Sequence, residues 1–345
     1  DADNGPGKPT AGTIAGGSHG GIGGIKTLSI TSSAYGSFTA PVNIGSGGDG
    51  AVGGGAIKIT TTGLSTINGD ITANGGGNHT KGNGAGGSVY ITSGTIAGTG
   101  DITANGGSGS YEGGGGGGRV AVILTTAAAD FTGYTGTYTA FGGQTAGTKN
   151  GAAGTVYLEE EADAAGEGQL IIDNNNYDTR DFVTTQVPAG STWNVKDLVL
   201  QNAGLLEMLS GTTLNLVAGG TITSDSDDNT DGMVWHNGST ISGIGAAYTV
   251  DNYTVITVGA VSCTGNLTVG SNGRMTHYDN STTETYTMDF TVTGNLTIDA
   301  GGVITANELG YNADNGPGKP TAGTRDGGSH GGIGGGIVAG VPTSI

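Results

Sequence analysis

A chain of 345 residues holding 75 Gly, 29 acidic and 11 basic residues has a formal charge of −18, and its basic residues stand singly. That distribution excludes the Lys/Arg stripe a nucleic-acid partner requires, and one cysteine, Cys263, excludes a disulfide framework. No signal peptide, lipidation motif or membrane span is visible, although a chain opening at Asp1 without Met says little about a missing leader.

The first notable stretch is ADNGPGKPTAGT, residues 2–13, followed by GGSHGGIGG at 16–24. Both return at 313–324 and 327–335, an offset of 311, with only Ile14-Ala15 replaced by Arg325-Asp326. The second copy follows the strand pattern GGVITAN and the first does not, so the chain is expected to open partway through a coil. Two readings fit: one period of a tandem-repeat protein, or subunits stacking head to tail. Both give a fibre, because a heterologous contact that does not close propagates. An internal duplication within a monomer is the third reading.

GPGKPT, at Gly5–Thr10 and Gly316–Thr321, fails as a phosphate loop. Pro9 and Pro320 stand where Ser/Thr is needed after Lys.

From Ala56 onward a period of about 31 residues emerges. The units are Ala56–Gly87, Ser88–Gly118 and a looser Arg119–Gly154, with a fourth starting at Thr155. Each has a β-branched run alternating with period two, then a turn, a second strand and a Gly-rich excursion. The octapeptide GDITANGG is identical at 69–76 and 100–107. A lone unit cannot bury its Val and Ile, but stacked units extend a parallel sheet about 4.8 Å at a time. Glycine is expected at sharp corners with positive φ, and asparagine in ladders beside them.

Glycine density divides the chain. Residues 1–154 hold 45 Gly, 155–300 hold 16 and 301–345 hold 14. The expected parts are Gly-rich coils over 1–154, a Gly-poorer β section over 155–300, and a terminal Gly-rich coil over 301–345.

The best ion site is SDSDDNTDG, residues 224–232, where Asp227, Asn229, Asp231 and Gly232 match the opening half of a calcium loop. Asp225 and Asp228 add charge, while Gly238 stands where the closing Glu belongs. A solvated acidic turn is the plain alternative to calcium as a cofactor. Glu159-Glu160-Glu161 with Asp163 is expected to end a strand and blunt an edge. A polysaccharide-active enzyme would need a base beside acidic ligands. The closest match clusters Asp173, Asp178, Arg180 and Asp181, a pattern that a surface ion pair also gives. Candidate glycosylation sequons are Asn78, Asn237 and Asn280. Tyr35, Tyr111, Tyr134, Tyr138 and Phe141 are expected either in contacts between coils or subunits or in the core, the two readings standing equal.

The series GGSHGGIGG, AYGSFTAPVNIGSGGDGAVGGGAIKI, GDITANGG, GAGGSVYI and GGGGGGRVAVI resembles the glycine-rich repeats of very large bacterial surface and secreted proteins. That resemblance covers 1–154 and 301–345 and only loosely the middle. It implies parallel β-helices of an adhesin-like, matrix- or filament-forming kind at the cell surface or in a biofilm, and it carries no catalytic residues.

The expected fold is all-β, an elongated glycine-rich right-handed parallel β-helix, or β-solenoid. The expected role is architectural and not enzymatic: a subunit of an extracellular filament, sheath or adhesin stalk. Its partner is itself, head to tail. The joint is expected at Asp3, Asn4, Lys8 and His19 against Asp314, Asn315, Lys319 and His330. A glycan-binding adhesive domain, with cell-surface glycans as partners, and a polysaccharide-active β-helix enzyme are the alternatives.

Overall fold

The computed structural model describes residues 4–10, 12–25, 32–110, 112–179, 183–217, 220–224, 232–236, 238–242, 247–320, 327–332 and 334–335. All its regular structure is strand, and no helix occurs among the described residues.

One seven-stranded sheet starts with Ala56–Thr60, Ser88–Ser93, Arg119–Leu124 and Thr155–Glu159, stacked in parallel. Ala56 pairs with Ser88, Ser88 with Arg119 and Arg119 with Thr155. These offsets of 32, 31 and 36 are the sequence period seen in space. Ile57, Val89, Val120 and Val156 stand one above another in register. Val89 and Val120 are fully buried. Burying each such side chain stabilises by roughly 1.5–3 kcal/mol. Alternation thus becomes an inward ladder, because side chains two apart share a sheet face.

The middle of the chain runs three parallel ladders. One links Thr185–Val187, Leu205–Met208, Gly232–His236, the first half of Thr254–Cys263, and Arg274–His277. A second links Thr192–Val195, Thr213–Leu216, Ser239–Ser242, the second half of Thr254–Cys263, and Met288–Val292. The third ladder is in two parts, Gln169–Asp173 with Asp197–Gln201 and Ile222–Ser224, then Ala247–Val250 with Asn266–Val269 and Leu296–Ile298. Leu198, Leu206, Leu214, Val255 and Leu267 point into one shared core.

Every pairing between these strands is parallel except one. Thr155–Glu159 and Gln169–Asp173 form an antiparallel hairpin in the interior of the seven-stranded sheet. This corrects the reading of the acidic run at 159–163 as an edge guard, since the strand it ends is paired on both sides. The run shapes the hairpin loop. Buried Glu159 accepts from the Tyr157 hydroxyl and, at 2.7 Å, from Gly166 N–H. Asp163 pairs with Lys196 at 2.8 Å.

The repeated Asp and Asn of GDITANGG tie one repeat unit to the next. Asp70 Oδ1 accepts from Asp101 N–H at 3.2 Å, and Asp101 Oδ1 accepts from Thr137 N–H at 3.2 Å. Asn74 Oδ1 accepts from Asn105 N–H at 2.7 Å, and Asn105 Oδ1 from Phe141 N–H at 2.8 Å. Each side chain supplies the acceptor that a backbone turning out of a strand has lost.

The glycine excursions are neither corners nor strands. Each is an out-and-back pair of runs: 73–77 with 83–87, 104–108 with 113–118, and 140–144 with 150–154. Successive residues donate in different directions. Gly84 N–H donates to Gly76 O, Ala85 to Ser46 O, Gly86 to Gly116 O and Gly87 to Ala73 O, at 3.0, 2.9, 2.9 and 2.7 Å. Gly115, Gly116, Gly117 and Gly118 repeat the pattern toward Gly107, Gly17, Ala152 and Ala104. The first and fourth donors of each set return to the same neighbouring run. That is the geometry of an extended helix with three residues per turn, whose backbone groups all point outward. Here neighbouring runs satisfy them instead of water.

Close packing, not positive φ, is what requires glycine there. A Cβ on Gly84 would meet Val52 O at 1.8 Å, and one on Gly154 would meet Gly118 O at 1.8 Å. The expectation that these glycines serve mainly as left-handed corners is corrected accordingly, since neither has a positive φ.

Candidate functional site

Where both copies of the repeated motif are described, they share the same hydrogen bonds. Ser18 N–H donates to Gly7 O and Ser329 N–H to Gly318 O, both at 2.8 Å. His19 and His330 close matching turns on Gly21 O and Gly332 O, at 3.1 and 3.2 Å. Ser18 Oγ accepts from Gly23 N–H at 2.8 Å, and Ser329 Oγ from Gly334 N–H at 2.9 Å. Gly16 N–H reaches Gly24 O at 2.9 Å, and Gly327 N–H reaches Gly335 O at 2.7 Å.

Their surroundings differ. Residues 15–25 are all buried, wedged between runs 45–48, 82–87, 113–118 and 150–154. His330, Gly331, Gly332 and Gly335 are exposed.

In the N-terminal copy a clasp closes on the segment Tyr35–Gly47. The His19 and Tyr35 rings lie 4.7 Å apart. Tyr35 N–H donates to His19 O at 2.9 Å, Gly47 N–H donates to Asn4 O at 2.8 Å, and Gly7 N–H donates to Ser46 Oγ at 2.8 Å. The Tyr35 hydroxyl donates to Ile44 O at 2.7 Å and lies 2.9 Å from Ser46 Oγ.

Arg119 seals the clasp from below. Its Nε donates to Tyr35 O at 2.9 Å and its Nη1 to Thr155 Oγ1 at 3.1 Å. Arg119 Nη2 and His19 Nε2, both buried, have no hydrogen-bond partner among the described residues. Burial pushes the guanidinium pKa down to about 10. Burial, reinforced by the Arg119 charge, pushes the His19 imidazole down to about 3. His19 is therefore neutral in the folded chain near pH 7.

At the C-terminal copy the corresponding space is an open cavity of about 850 Å³. His277, Tyr286, Tyr311, Gly318, Lys319 and His330 stand on its walls. Asp314 and Asn315 also line it, so four of the expected joint residues gather at one opening. Of the N-terminal joint residues, Asn4 and His19 hold the clasp, Lys8 is exposed, and Asp3 lies outside the described residues.

The candidate calcium ligands Asp225, Asp227, Asn229 and Asp231 also lie outside the described residues. Among those described, no group of three or more His, Cys, Asp or Glu could hold a metal ion, and no helix is long and apolar enough to cross a membrane. Asp173 accepts from Asn175 N–H, Gln201 Nε2 and Asn202 Nδ2. Its neighbours Arg180 and Asp181 are not described. Asn280 is buried, and its Nδ2, the atom a glycan would modify, donates to Tyr286 O and Leu309 O at 2.8 and 3.0 Å. Asn78 Nδ2 donates to Gly50 O at 2.8 Å, and Asn237 is not described.

Sequence reasoning missed Arg119 and Ser46. Nothing distinguishes an Arg opening RVAVIL from any strand-end charge. The recurrence of GGSHGG was the available signal for the clasp.

Among the described residues nothing covers the two ends of the ladders. Leu64 and Val52 are 58% and 52% exposed at one end, and Leu296 and Ile298 are 52% and 48% exposed at the other. At the first end, no described atom lies within 4 Å of where a Cβ would stand on Gly55, Gly63 or Gly69. One strand further in, a Cβ at the matching Gly87, Gly94 or Gly100 would meet Gly55 O, Thr62 O or Gly69 O at 1.8, 2.3 and 2.1 Å.

No protein-family model, curated protein or solved structure matches this chain.

Proposed function

We propose that the chain is an elongated right-handed parallel β-solenoid and serves as a structural subunit of an extracellular filament, sheath or adhesin stalk. Parallel ladders that advance one coil at a time support the solenoid. The observation that carries the assembly is the bare edge at Gly55, Gly63 and Gly69. Inside the fold, glycine at those places makes room for the carbonyls of a preceding coil. At the edge the room is kept and unfilled among the described residues. A preceding coil from a second copy fits it, and the exposed Leu296, Ile298, Val303 and Ile304 form the opposite edge. Unpaired strand edges of this kind template addition of another strand. The acidic charge keeps such a particle dispersed.

Negative-stain electron microscopy of the purified chain tests this. Fibres with a regular axial repeat are expected. Only monodisperse short rods across salt and pH would overturn it.

The glycan-binding reading rests on the open cavity, where Tyr286 and Tyr311 stand near Asn280 and Asn312. A glycan array is its measurement.

A further inference from the structure

We propose that the C-terminal copy is a spare clasp that takes up the Tyr35–Gly47 segment of a second copy of the chain. This rests on the head-to-tail reading and names the contact that would join the units.

The N-terminal copy defines the occupant. There, three backbone groups and one ring hold the segment: Asn4 O, Gly7 N–H, His19 O and the His19 imidazole. At the offset of 311 these become Asn315 O, Gly318 N–H, His330 O and the His330 ring. Asn315, Gly318 and His330 line the open cavity, and none of the three backbone groups makes a hydrogen bond among the described residues. The inner hydrogen bonds that shape the clasp are in place in both copies, so the C-terminal one is organised before anything binds.

One side chain stands in the way. Tyr311 Cδ2 lies 2.5 Å from where a Cβ would stand on Gly316, while Ser46 Oγ lies 2.6 Å from the equivalent point on Gly5. Tyr311 is 37% exposed and must turn aside when the segment enters.

The sequence change between the copies falls elsewhere. Ile14 O and Ala15 O accept from Gly113 and Asp49 N–H, at 3.3 and 3.4 Å, and neither bonds to residues 35–47. Asn315, Gly318 and His330 are the same residue types as Asn4, Gly7 and His19, and the Arg325-Asp326 pair lies outside the described residues.

A segment that moves from one clasp to the other keeps the contacts the two copies share but gives up Arg119 Nε on Tyr35 O, Ser88 Oγ on Asn43 O and the packing of Phe38 on Tyr157 and Trp193. A free peptide has none of these to lose and is therefore the sensitive probe of the C-terminal clasp. Other peptides would have to match a Tyr and a Ser eleven positions apart, with glycines after the Ser.

The test uses the full chain and a labelled synthetic peptide, Ser32–Gly48, followed by fluorescence anisotropy. Saturable binding is expected. The Tyr35→Ala peptide should bind about tenfold more weakly, and so should the parent peptide to His330→Ala chain. His330→Phe, which keeps a ring, should restore binding. His330 is exposed, so neither variant threatens the fold. No saturable binding, or equal binding to His330→Ala chain, overturns the clasp.

Parallel micrographs separate this from the assembly reading. Fibres that grow unaffected by excess peptide, with no peptide binding, would sink the clasp and leave stacking. Peptide binding by chains that form only short rods would sink stacking and leave the clasp.

Discussion

The imidazole of His19, fully buried, lies tilted by 38° to the Tyr35 ring with 4.7 Å between centroids, and its Nδ1 sits 2.9 Å from Gly86 O. That pair is one of several fastenings of residues 4–24, beside Gly17 N–H on Asn83 O and Ile22 N–H on Thr184 O.

It also makes the fastening acid-sensitive. With a folded pKa of about 3 against about 6.5 in the unfolded chain, His19 takes up a proton more readily when unfolded. Stability is therefore full above pH 6.5 and falls as the pH drops toward 3. The slope is up to about 1.4 kcal/mol per pH unit. Urea unfolding between pH 7 and 5, above most carboxylate titration, reads it. His19→Asn should flatten the profile in that window.

The glycine lattice should tolerate no added carbon. Gly84→Ala places a Cβ 1.8 Å from the Val52 carbonyl, a backbone atom that cannot rotate away. A loss of about 3 kcal/mol is expected, read as a lowered thermal midpoint. Gly310→Ala, with nothing within 4 Å, should stay within about 0.5 kcal/mol of the parent.

Edge and interior glycines should part company. Gly63→Ala and Gly69→Ala have open space and should leave the isolated chain as stable as its parent, yet shorten or abolish fibres. Gly94→Ala and Gly100→Ala, which meet backbone oxygens at 2.3 and 2.1 Å, should destabilise the chain itself. Micrographs paired with melting curves check both halves. Normal fibres from the double edge variant would mean that no coil seats there.

The side-chain ladder should behave as a series of single hydrogen bonds. Asn105→Ala removes the acceptor for Phe141 N–H at 2.8 Å. About 1 kcal/mol is expected. Asn105→Asp keeps an acceptor oxygen and should recover most of it.

How much of this was written openly in the sequence varies by element. The strands at 56–60, 88–93 and 119–124 were legible, because a two-residue alternation on a one-sided sheet leaves a one-dimensional trace. GDITANGG gave away the coil period for a similar reason: its Asp and Asn each serve the next unit in register. The glycine excursions were not legible in kind. Their order has period three in hydrogen-bond direction, but glycine occupies nearly every phase of it, so no period of three survives in the letters. The antiparallel hairpin at 155–173 was hidden because a run of acids reads the same at a sheet edge and at a loop. For the clasp, GGSHGG marked His19 and His330 as a pair. That Tyr35 and Ser46 close on one copy and leave the other open depends on packing across runs as distant as 119 and 155.

The crowding at Gly84, Gly87 and Gly154 has a consequence on a longer timescale. Where an added methyl group collides with a carbonyl, single codon changes from glycine have few survivable outcomes. A region built this way can hardly drift letter by letter. It changes readily only by gaining or losing whole units, as copied text lengthens without being rewritten. The two identical GDITANGG octapeptides, whose Gly75, Gly106 and Gly107 would each bring a Cβ within 2.1 Å of a neighbouring carbonyl, fit that mode of inheritance.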